Sequence, residues 1–243
     1  MSEPERLRTE EARIRRAYEA RHDDARYSWL ARGQQLIVQG AERGLLDALR
    51  RAGVDALDEL RVLEVGCGTG HWLRAFVQWG ARPEHLVGVD LLAHRIAEAR
   101  ARCAAAVRVA VASGAELPFA AGTFDVVLQS TVLTSILERG MRERVAREMV
   151  RVLRPGGIVL WYDFFADNPR NPDVRGVRRR ELDALFPDCE IHVRRVTLAP
   201  PLARALAPRL WPLASLLSSL PVLCTHYVGF IRPAGTLLGR CDT

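Results

Sequence analysis

The sequence predicts an α/β fold in which a mostly parallel sheet of seven strands is covered by helices on both faces. Short runs of apolar and β-branched residues recur from residue 62 onward, and helix-like runs separate them. This alternation is typical of parallel strands that are buried on both faces. The last strand follows a long helical insertion, and we therefore expect it to return antiparallel to its neighbours.

The first 58 residues are predicted to form a helical cap or lid, followed by the sheet domain at 59–243. Residues 6–21 form a helix-like run that carries both charge signs. Residues 34–52 place apolar side chains at helical spacing, so we expect one face of this helix to pack on the rest of the protein. Between the two helices lies an aromatic, arginine-bearing patch that either covers a ligand or packs in the core: Tyr27, Trp29 and Arg32.

From residue 61 the strand and helix patterns alternate. The predicted strands are 62–65, 86–90, 107–111, 124–129, 157–164, 190–196 and 225–231. The predicted helices that connect them are 71–80, 92–103, 139–153, 178–186 and 201–220. The segment 198–223 is an unusually apolar helical insertion, and it could form an acceptor wall or dimer contact, a part of the core, or a surface that adheres to a membrane.

A glycine-rich turn joins the first strand to the next helix. Three glycines alternate along 66–70, which allows a tight turn and lets a ligand approach bare backbone at a helix N-terminus. Asp90 ends the second strand, where a carboxylate can accept the hydroxyls of a ribose. A dinucleotide fingerprint would need its third glycine at position 71, which is histidine here, whereas the third glycine stands one residue earlier.

The pattern E-x-G-x-G-x-G at 64–70 resembles motif I of the class I S-adenosylmethionine-dependent methyltransferases. Further segments extend the resemblance in the same order: LPF at 117–119, FDVV at 124–127 and LRPGG at 153–157. These segments resemble the small-molecule group within the family, of the ubiquinone and menaquinone biosynthesis type (type 11). The resemblance implies a Rossmann-like fold, S-adenosylmethionine as cofactor and S-adenosylhomocysteine as product.

Carried over position by position, the resemblance implies a set of cofactor contacts. The glycines would pass the methionine part, Glu64 would order the turn and face the amino group, and Asp90 would hold the ribose. Ser113 stands where the family usually has an acidic residue for the adenine amino group. The implied cofactor residues are Glu64, Gly66, Cys67, Gly68, Gly70, Asp90, Leu91, Ser113, Gly114, Ala115 and Gln129.

The acceptor is expected beyond the carboxyl ends of the fourth and fifth strands, because ligands of open parallel sheets bind there. Asp163 is the first candidate for a catalytic base, with a structural acid as the alternative. His71 is the second candidate, with a surface histidine at a helix start as its alternative. The expected acceptor-side residues are Ser130, Thr131, Thr134, Phe164 and Arg170.

The charge of +6 comes entirely from residues 139–180, which hold 11 arginines against 5 acidic residues. The chain has no lysine, which excludes Schiff-base and P-loop lysine chemistry. One hypothesis is that arginines of the loop 167–175, which the run Arg178–Arg180 follows, meet an anionic group of the acceptor, the alternative being a solvated surface. The five scattered cysteines show no metal-ligand spacing, so we expect no metal site and a reduced, cytoplasmic protein without a transmembrane segment.

The sequence thus predicts methyl transfer to a small, anionic or partly apolar acceptor, with oxygen favoured as the methylated atom in natural-product, quinone or glycan and glycolipid biosynthesis. Methylation of carbon or nitrogen is the first alternative. An RNA methyltransferase is the second, although no RNA-binding module or base-flipping motif accompanies the arginines, so we expect no nucleic-acid partner. A cofactor-binding protein without transferase activity is the third, and a homodimer is left open.

Overall fold

A computed structural model describes residues 2–20, 28–169 and 171–235 of the chain. Its single seven-stranded sheet has the order β3-β2-β1-β4-β5-β7-β6. Strands β1 to β5 are parallel, whereas β7 runs antiparallel to both β5 and β6. The predicted fold class is therefore confirmed. The strands are Val62–Val65 (β1), Leu86–Asp90 (β2), Arg108–Val111 (β3), Phe124–Ser130 (β4), Leu153–Phe164 (β5), Cys189–Leu198 (β6) and Cys224–Pro233 (β7).

The helices follow the predicted order with one difference. The expected single helix at 201–220 is two short helices, α7 and α8, because Pro208 lies at the break and cannot continue the hydrogen-bond ladder. The α-helices of the described residues are Glu3–Glu19 (α1), Arg32–Arg51 (α2), His71–Gln78 (α3), Ala93–Arg102 (α4), Arg139–Arg151 (α5), Arg179–Leu185 (α6), Pro200–Leu206 (α7) and Trp211–Leu217 (α8). None of them is long and apolar enough to cross a bilayer.

The sheet separates two apolar cores, because successive side chains of each buried strand point to opposite faces. On one face, α2, α3 and α4 pack on alternate strand residues such as Val62 and Leu128. On the other face, α5 and α6 pack on residues such as Leu63 and Val127. Because both faces are covered, the central strands are continuously apolar rather than alternating.

The two N-terminal helices take different positions. Leu45 and Leu49 of α2 are buried in the core of the sheet, on the α3 side. Helix α1 instead lies across the carboxyl edge of the sheet, where Ile14 joins the opposite core. Among the described residues of the predicted cap at 1–58, α2 is built into the core and α1 lies over the strand ends.

A buried arginine ties together the segments behind this edge. Arg142 of α5 is fully buried, and its guanidinium donates to the Ile136 carbonyl at 2.6 Å, the Arg175 carbonyl at 2.7 Å and the Glu181 carboxylate at 2.7 Å. One planar donor group therefore fixes the segment after β4, the loop after β5 and helix α6 at once. A lysine could not reach three acceptors in this fixed geometry.

We predict that Arg142→Leu lowers the free energy of unfolding by about 3 kcal/mol or more, because it leaves the Ile136 and Arg175 carbonyls without this donor and leaves the Glu181 carboxylate with Arg175 alone. Urea unfolding measures the loss. Arg139→Leu is the matched control on the same helix, since Arg139 pairs with Glu143 on the surface and should cost less than about 1 kcal/mol. Equal losses in the two variants would contradict the role assigned to Arg142.

Candidate functional site

The turn between β1 and α3 has a backbone that only glycine adopts easily. Gly66, Gly68 and Gly70 all have positive φ angles, of 71°, 53° and 78°. At Gly66 a Cβ atom would also lie 2.5 Å from Cγ2 of Val132. The turn is anchored to β2, because the N–H groups of Gly66 and Cys67 both donate to the Val89 carbonyl. Bare backbone is thus presented at the carboxyl edge of the sheet.

Asp90, the last residue of β2, joins this turn to the following loop. One carboxylate oxygen accepts from the N–H of Gly68 at 2.9 Å, and the other accepts from the N–H of Leu92 at 2.9 Å. A carboxylate has about four acceptor sites, so these two bonds leave capacity for a ligand. Asp90 also lines the cleft beside the turn. A single acid therefore shapes the cleft and can bind what enters it.

Two buried polar side chains beside the turn have atoms without a partner among the described residues. Glu64 accepts from the N–H of Leu73 in the first turn of α3, but its Oε2 makes no hydrogen bond. Burial raises the pKa of this carboxyl well above its usual range. Gln129 is fully buried, and its Nε2 lacks an acceptor although its Oε1 accepts from Val132. Buried polar atoms are normally hydrogen-bonded, so these two favour a polar ligand.

The cleft runs along the ends of β1, β2 and β4 and has a cavity of about 120 Å³. Many residues predicted from the sequence line it: Gly66, Asp90, Leu91, Ser113, Gly114, Ser130 and Thr131. Thr131 has a φ of 57°, a strained conformation for a β-branched residue. Glycine backbone, a carboxylate at a strand end and unsatisfied amide and carboxyl groups fit a nucleoside that carries an amino acid.

Helix α1 forms a roof over this cleft, through Ile14 and Tyr18. Three side chains anchor it to backbone groups at the edge. Arg15 donates to the Leu91 carbonyl at 2.7 Å, Arg13 donates to the Ser135 carbonyl at 2.6 Å, and Glu10 accepts from the N–H of Leu137 at 2.6 Å. The roof is therefore fixed by charge-assisted hydrogen bonds rather than by apolar packing alone.

Helix α1 and its partners bring residues to the cleft that the sequence patterns do not predict. The hydroxyl of Tyr18 lies 2.8 Å from that of Ser135, and the guanidinium of Arg95 lies 4.4 Å above the Tyr18 ring. Ile14 and Tyr18 are four residues apart, so they share one helix face. That spacing marks an apolar face, but the sequence does not show what this face covers.

Cys67 and Ala115 lie beneath the cleft rather than in it. Both are buried, and burial raises the pKa of the Cys67 thiol far above its usual range. A Cβ atom at Gly88 would lie 2.8 Å from the Cys67 sulfur, so strand β2 closely approaches the turn that contains Cys67. Cys67 is therefore a small packing residue, and its thiol is not a nucleophile at neutral pH.

Asp163, the first candidate for a base, is fully buried and engaged. Its carboxylate accepts from the hydroxyl of Thr134 at 2.7 Å, from the N–H of Thr134 at 3.2 Å and from the N–H of Phe164 at 2.9 Å. Burial raises its pKa to about 6, against the lowering effect of these bonds. Neither Asp163 nor Thr134 lines the cleft. The geometry favours a positioning role, and a catalytic role for Asp163 stays a prediction.

His71, the second candidate, begins α3 directly after the glycine turn. Its ring centroid lies 5.3 Å from that of Trp29, and its buried Nε2 has no partner among the described residues. Burial, reinforced by Arg74, lowers the pKa of the imidazole, so the ring is neutral at pH 7. Trp29 therefore meets the edge of the site, whereas Arg32 is exposed at the start of α2. Tyr27 and Arg170 lie outside the described residues.

The aromatic residues at the end of β5 form a stack with β7. His226 lies parallel to Tyr162 with ring centroids 4.8 Å apart, and its ring centroid is 3.7 Å from that of Phe164. Burial lowers the pKa of His226 to about 3, so it stays neutral in the folded protein at physiological pH. Phe164 is therefore packed in a stack rather than placed in the cleft.

Two arginines of the loop after β5 are paired with acids of the same region. Arg175 lies 2.8 Å from Glu181, and Arg178 lies 3.1 Å from Asp167. Asp173 of this loop in turn lies 3.5 Å from Arg13 of the roof helix. The loop is thus joined to the roof, and Arg175 and Arg178 both have carboxylate partners within the chain.

Comparison with known proteins places the same residues in a known domain. Residues 62–157 match the family model described as "Methyltransferase domain". The chain is 32% identical to a demethylmenaquinone methyltransferase of Parafrankia sp., over 63% of this chain and 64% of the relative. It is 33% identical to a probable tRNA methyltransferase 9B of Bos taurus, over 42% of this chain and 20% of that protein. In both cases the match spans less than two thirds of the relative.

A solved methyltransferase structure also has a similar fold. A SAM-dependent methyltransferase of Thermotoga maritima, described as a possible histamine N-methyltransferase, matches with a TM-score of 0.55. The match covers 82% of this chain and 91% of that structure at 20% sequence identity, so the likeness concerns the fold alone.

We predict that Asp90→Asn weakens the binding of S-adenosylmethionine by about 10- to 100-fold, because an amide nitrogen cannot accept from the N–H of Gly68 or Leu92. Isothermal titration calorimetry measures the affinity. Asp125→Asn is the matched control: Asp125 also accepts a backbone N–H beside a strand, from Arg61, but it lies at the opposite end of β4. Unchanged affinity in Asp90→Asn would refute the assigned role.

We also predict that His226 lowers the stability of the folded protein in acid. Below about pH 6.5 the unfolded chain protonates this histidine, but the folded chain does so only near pH 3, so stability falls as the pH falls through this range. When the pH is lowered from 7 to 4.5, the free energy of unfolding should therefore fall by about 2–3 kcal/mol less in His226→Phe than in wild type. The raised pKa of Asp163 favours the folded state as the pH falls, but Asp163 is present in both proteins, so its effect cancels in the comparison.

Urea unfolding at the two pH values measures the difference. His192→Phe is the control, since His192 is exposed on β6 and its replacement should leave the pH dependence as in wild type. An identical pH dependence in His226→Phe and wild type would show that His226 is protonated in the folded state.

Proposed function

From the class I S-adenosylmethionine-dependent methyltransferase domain that this chain carries at 62–157, we propose that the protein methylates a small molecule, at an oxygen atom. The cofactor supplies a methyl group bound to a sulfonium. The cofactor would be held by the turn at Gly66 and by Asp90. Glu64 and Gln129 would also bind it, because each has a buried polar atom without a partner among the described residues.

The roof formed by α1 is the observation that carries the proposal of a small acceptor. It is fixed at Leu91, Ser135 and Leu137, so it covers the carboxyl edge of the sheet beside the glycine turn. A nucleotide within a long RNA would have to be extruded from its stack to reach a cleft that is covered in this way.

An RNA acceptor is the second candidate, because one relative is named a probable tRNA methyltransferase. That match covers only 20% of the relative. Most arginines of the basic segment 139–180 already face carboxylates, which reduces the charge available for phosphates. The paired arginines of this segment are Arg139, Arg142, Arg144, Arg151, Arg154, Arg175, Arg178 and Arg179.

The proposal of an oxygen acceptor depends on His71. A hydroxyl acceptor needs a group that takes its proton, whereas many carbon and nitrogen acceptors do not. Neither Asp163 nor His71 lines the cleft. Asp163 has its oxygens engaged by Thr134 and Phe164, whereas His71 directly follows the glycine turn, is neutral and keeps a buried Nε2 without a partner among the described residues. We therefore assign the role of base to His71 and a positioning role to Asp163.

The test uses S-adenosylmethionine labelled with carbon-13 in its methyl group. The purified chain is incubated separately with the small-molecule fraction of a cell extract and with total RNA. We expect the label in a small molecule, and the chemical shift of the transferred methyl carbon distinguishes oxygen from nitrogen and carbon acceptors. Label in RNA would contradict the proposal, and no transfer at all would favour a protein that only binds the cofactor.

We predict that His71→Phe lowers the rate of transfer by about 100-fold or more, while calorimetry shows nearly unchanged binding of S-adenosylmethionine. The aromatic replacement keeps a ring against Trp29. His94→Phe is the control, because His94 is exposed on α4 and should leave the rate unchanged. A wild-type rate in His71→Phe would exclude His71 as the base.

A further inference from the structure

Residues 199–223, the apolar lobe, turn large apolar side chains toward solvent. Between 39% and 78% of the surface of each is exposed, and they lie on α7, on α8 and in the short segments that follow each helix: Leu202, Leu210, Leu213, Leu216, Leu220 and Val222. Scattered single leucines on a surface are ordinary, but a cluster of this kind marks an interaction site.

The inner face of the lobe is built from small residues. The fully buried residues of α7, α8 and the turn between them are alanines, Ala203, Ala207 and Ala214, which pack on Leu36 of α2 and Leu198 of β6. A helix that serves only a soluble core places its large apolar residues inward. Here the fully buried positions hold alanine, and Leu206, Trp211 and Leu217 pack on this cluster only in part, whereas the six exposed side chains named above face solvent.

The charges of this region have a single sign. The sequence contains no aspartate or glutamate from residue 191 to residue 241, whereas it contains six arginines there. Arg204 and Arg209 belong to the lobe itself, and Arg194 and Arg195 precede it as exposed residues of β6. Arg194 is 3.2 Å from Asp47 of α2, so the acid that balances it comes from outside the segment.

We propose that the apolar lobe binds the surface of an anionic lipid bilayer. Outward leucines next to arginines, without acidic residues, are the pattern of helices that lie in the plane of a membrane. Helices α7 and α8 have seven residues each, with proline in the first turn of each, so they can insert leucines only to a shallow depth. Arg209, which is exposed between α7 and α8, would then meet a lipid phosphate.

A second copy of this chain fits the lobe less well. In a two-fold symmetric dimer the same patch meets itself, so the arginines of one lobe would face those of the other. No acid of 191–235 could pair with them. Juxtaposed like charges oppose association, whereas an anionic membrane supplies the complementary charge.

The lobe lies beside the edge of the functional site. A Cβ atom at Gly33, the second residue of α2, would be only 2.7 Å from the Cα of Arg204, so the start of α2 touches α7 closely. The exposed side chains of Trp29 and Leu30 precede this helix, and Trp29 contacts His71. Binding at the lobe would thus bring the open side of the site close to the membrane surface.

Flotation with vesicles tests the proposal on the full chain. The vesicles are either pure phosphatidylcholine or phosphatidylcholine with about one third phosphatidylglycerol. We expect the protein to float with the anionic vesicles, to float far less with the neutral ones, and to dissociate as salt is raised, because salt screens the contact. Failure to bind the anionic vesicles, or binding that is equal for both lipids, would overturn the proposal.

Leu216→Glu should weaken binding to the anionic vesicles by about tenfold or more, because it removes a buried apolar contact and adds a like charge. Val111→Glu is the matched control: Val111 is 48% exposed against 64% for Leu216, and it lies on β3 at the far edge of the sheet. Both variants change the net charge equally, so equal binding of the two would contradict a contact at the lobe.

Circular dichroism checks whether both variants remain folded. Sedimentation tests the alternative that a second copy of the chain covers the lobe. A dimer that Leu216→Glu dissociates, together with no binding of the wild type to anionic vesicles, would assign the lobe to a second copy instead. The assay needs neither cofactor nor acceptor, so its result is independent of the proposed methyl transfer.

Discussion

The double hydrogen bond of Asp90 is the contact on which the site depends. Its two oxygens hold the N–H groups of Gly68 and Leu92, which belong to the loops that leave two neighbouring strands. Two loops are thereby kept at a fixed separation, and backbone with positive φ is presented between them. The same carboxylate lines the cleft, so the group that orders the loops is also available to a ligand.

Arginine performs the task of joining distant segments throughout this lysine-free chain. Arg142 binds three segments from within the core, while Arg13 and Arg15 attach the roof helix to carbonyls at the strand ends. A planar guanidinium has five donors in a fixed arrangement, which suits several backbone acceptors at once. Many arginines of the chain consequently bind carboxylates or carbonyls within the chain itself. The apolar lobe differs, because it contains arginines but no acidic residue.

Buried ionisable groups give the site its electrostatic character. Burial raises the pKa values of Glu64 and Asp163 and lowers that of His226, so the folded protein disfavours the charged form of each. Asp163 accepts three hydrogen bonds, and the two from Thr134 order residues 133–135, next to the cleft. His71 differs from Asp163 because its ring nitrogen stays without a partner among the described residues, which leaves it able to accept a proton.

The sequence by itself determined the sheet, the order of its elements and the cofactor turn, because alternating apolar runs, glycines at 66–70 and an acid at a strand end are local patterns. Tertiary structure alone decided that α1 is a roof while α2 belongs to the core, that Asp163 is engaged by Thr134, and that Tyr18 and Ser135 meet in the cleft. These outcomes depend on contacts between residues 29 or more positions apart. Local patterns mark an apolar face or a buried acid, but only the packed chain chooses its partner.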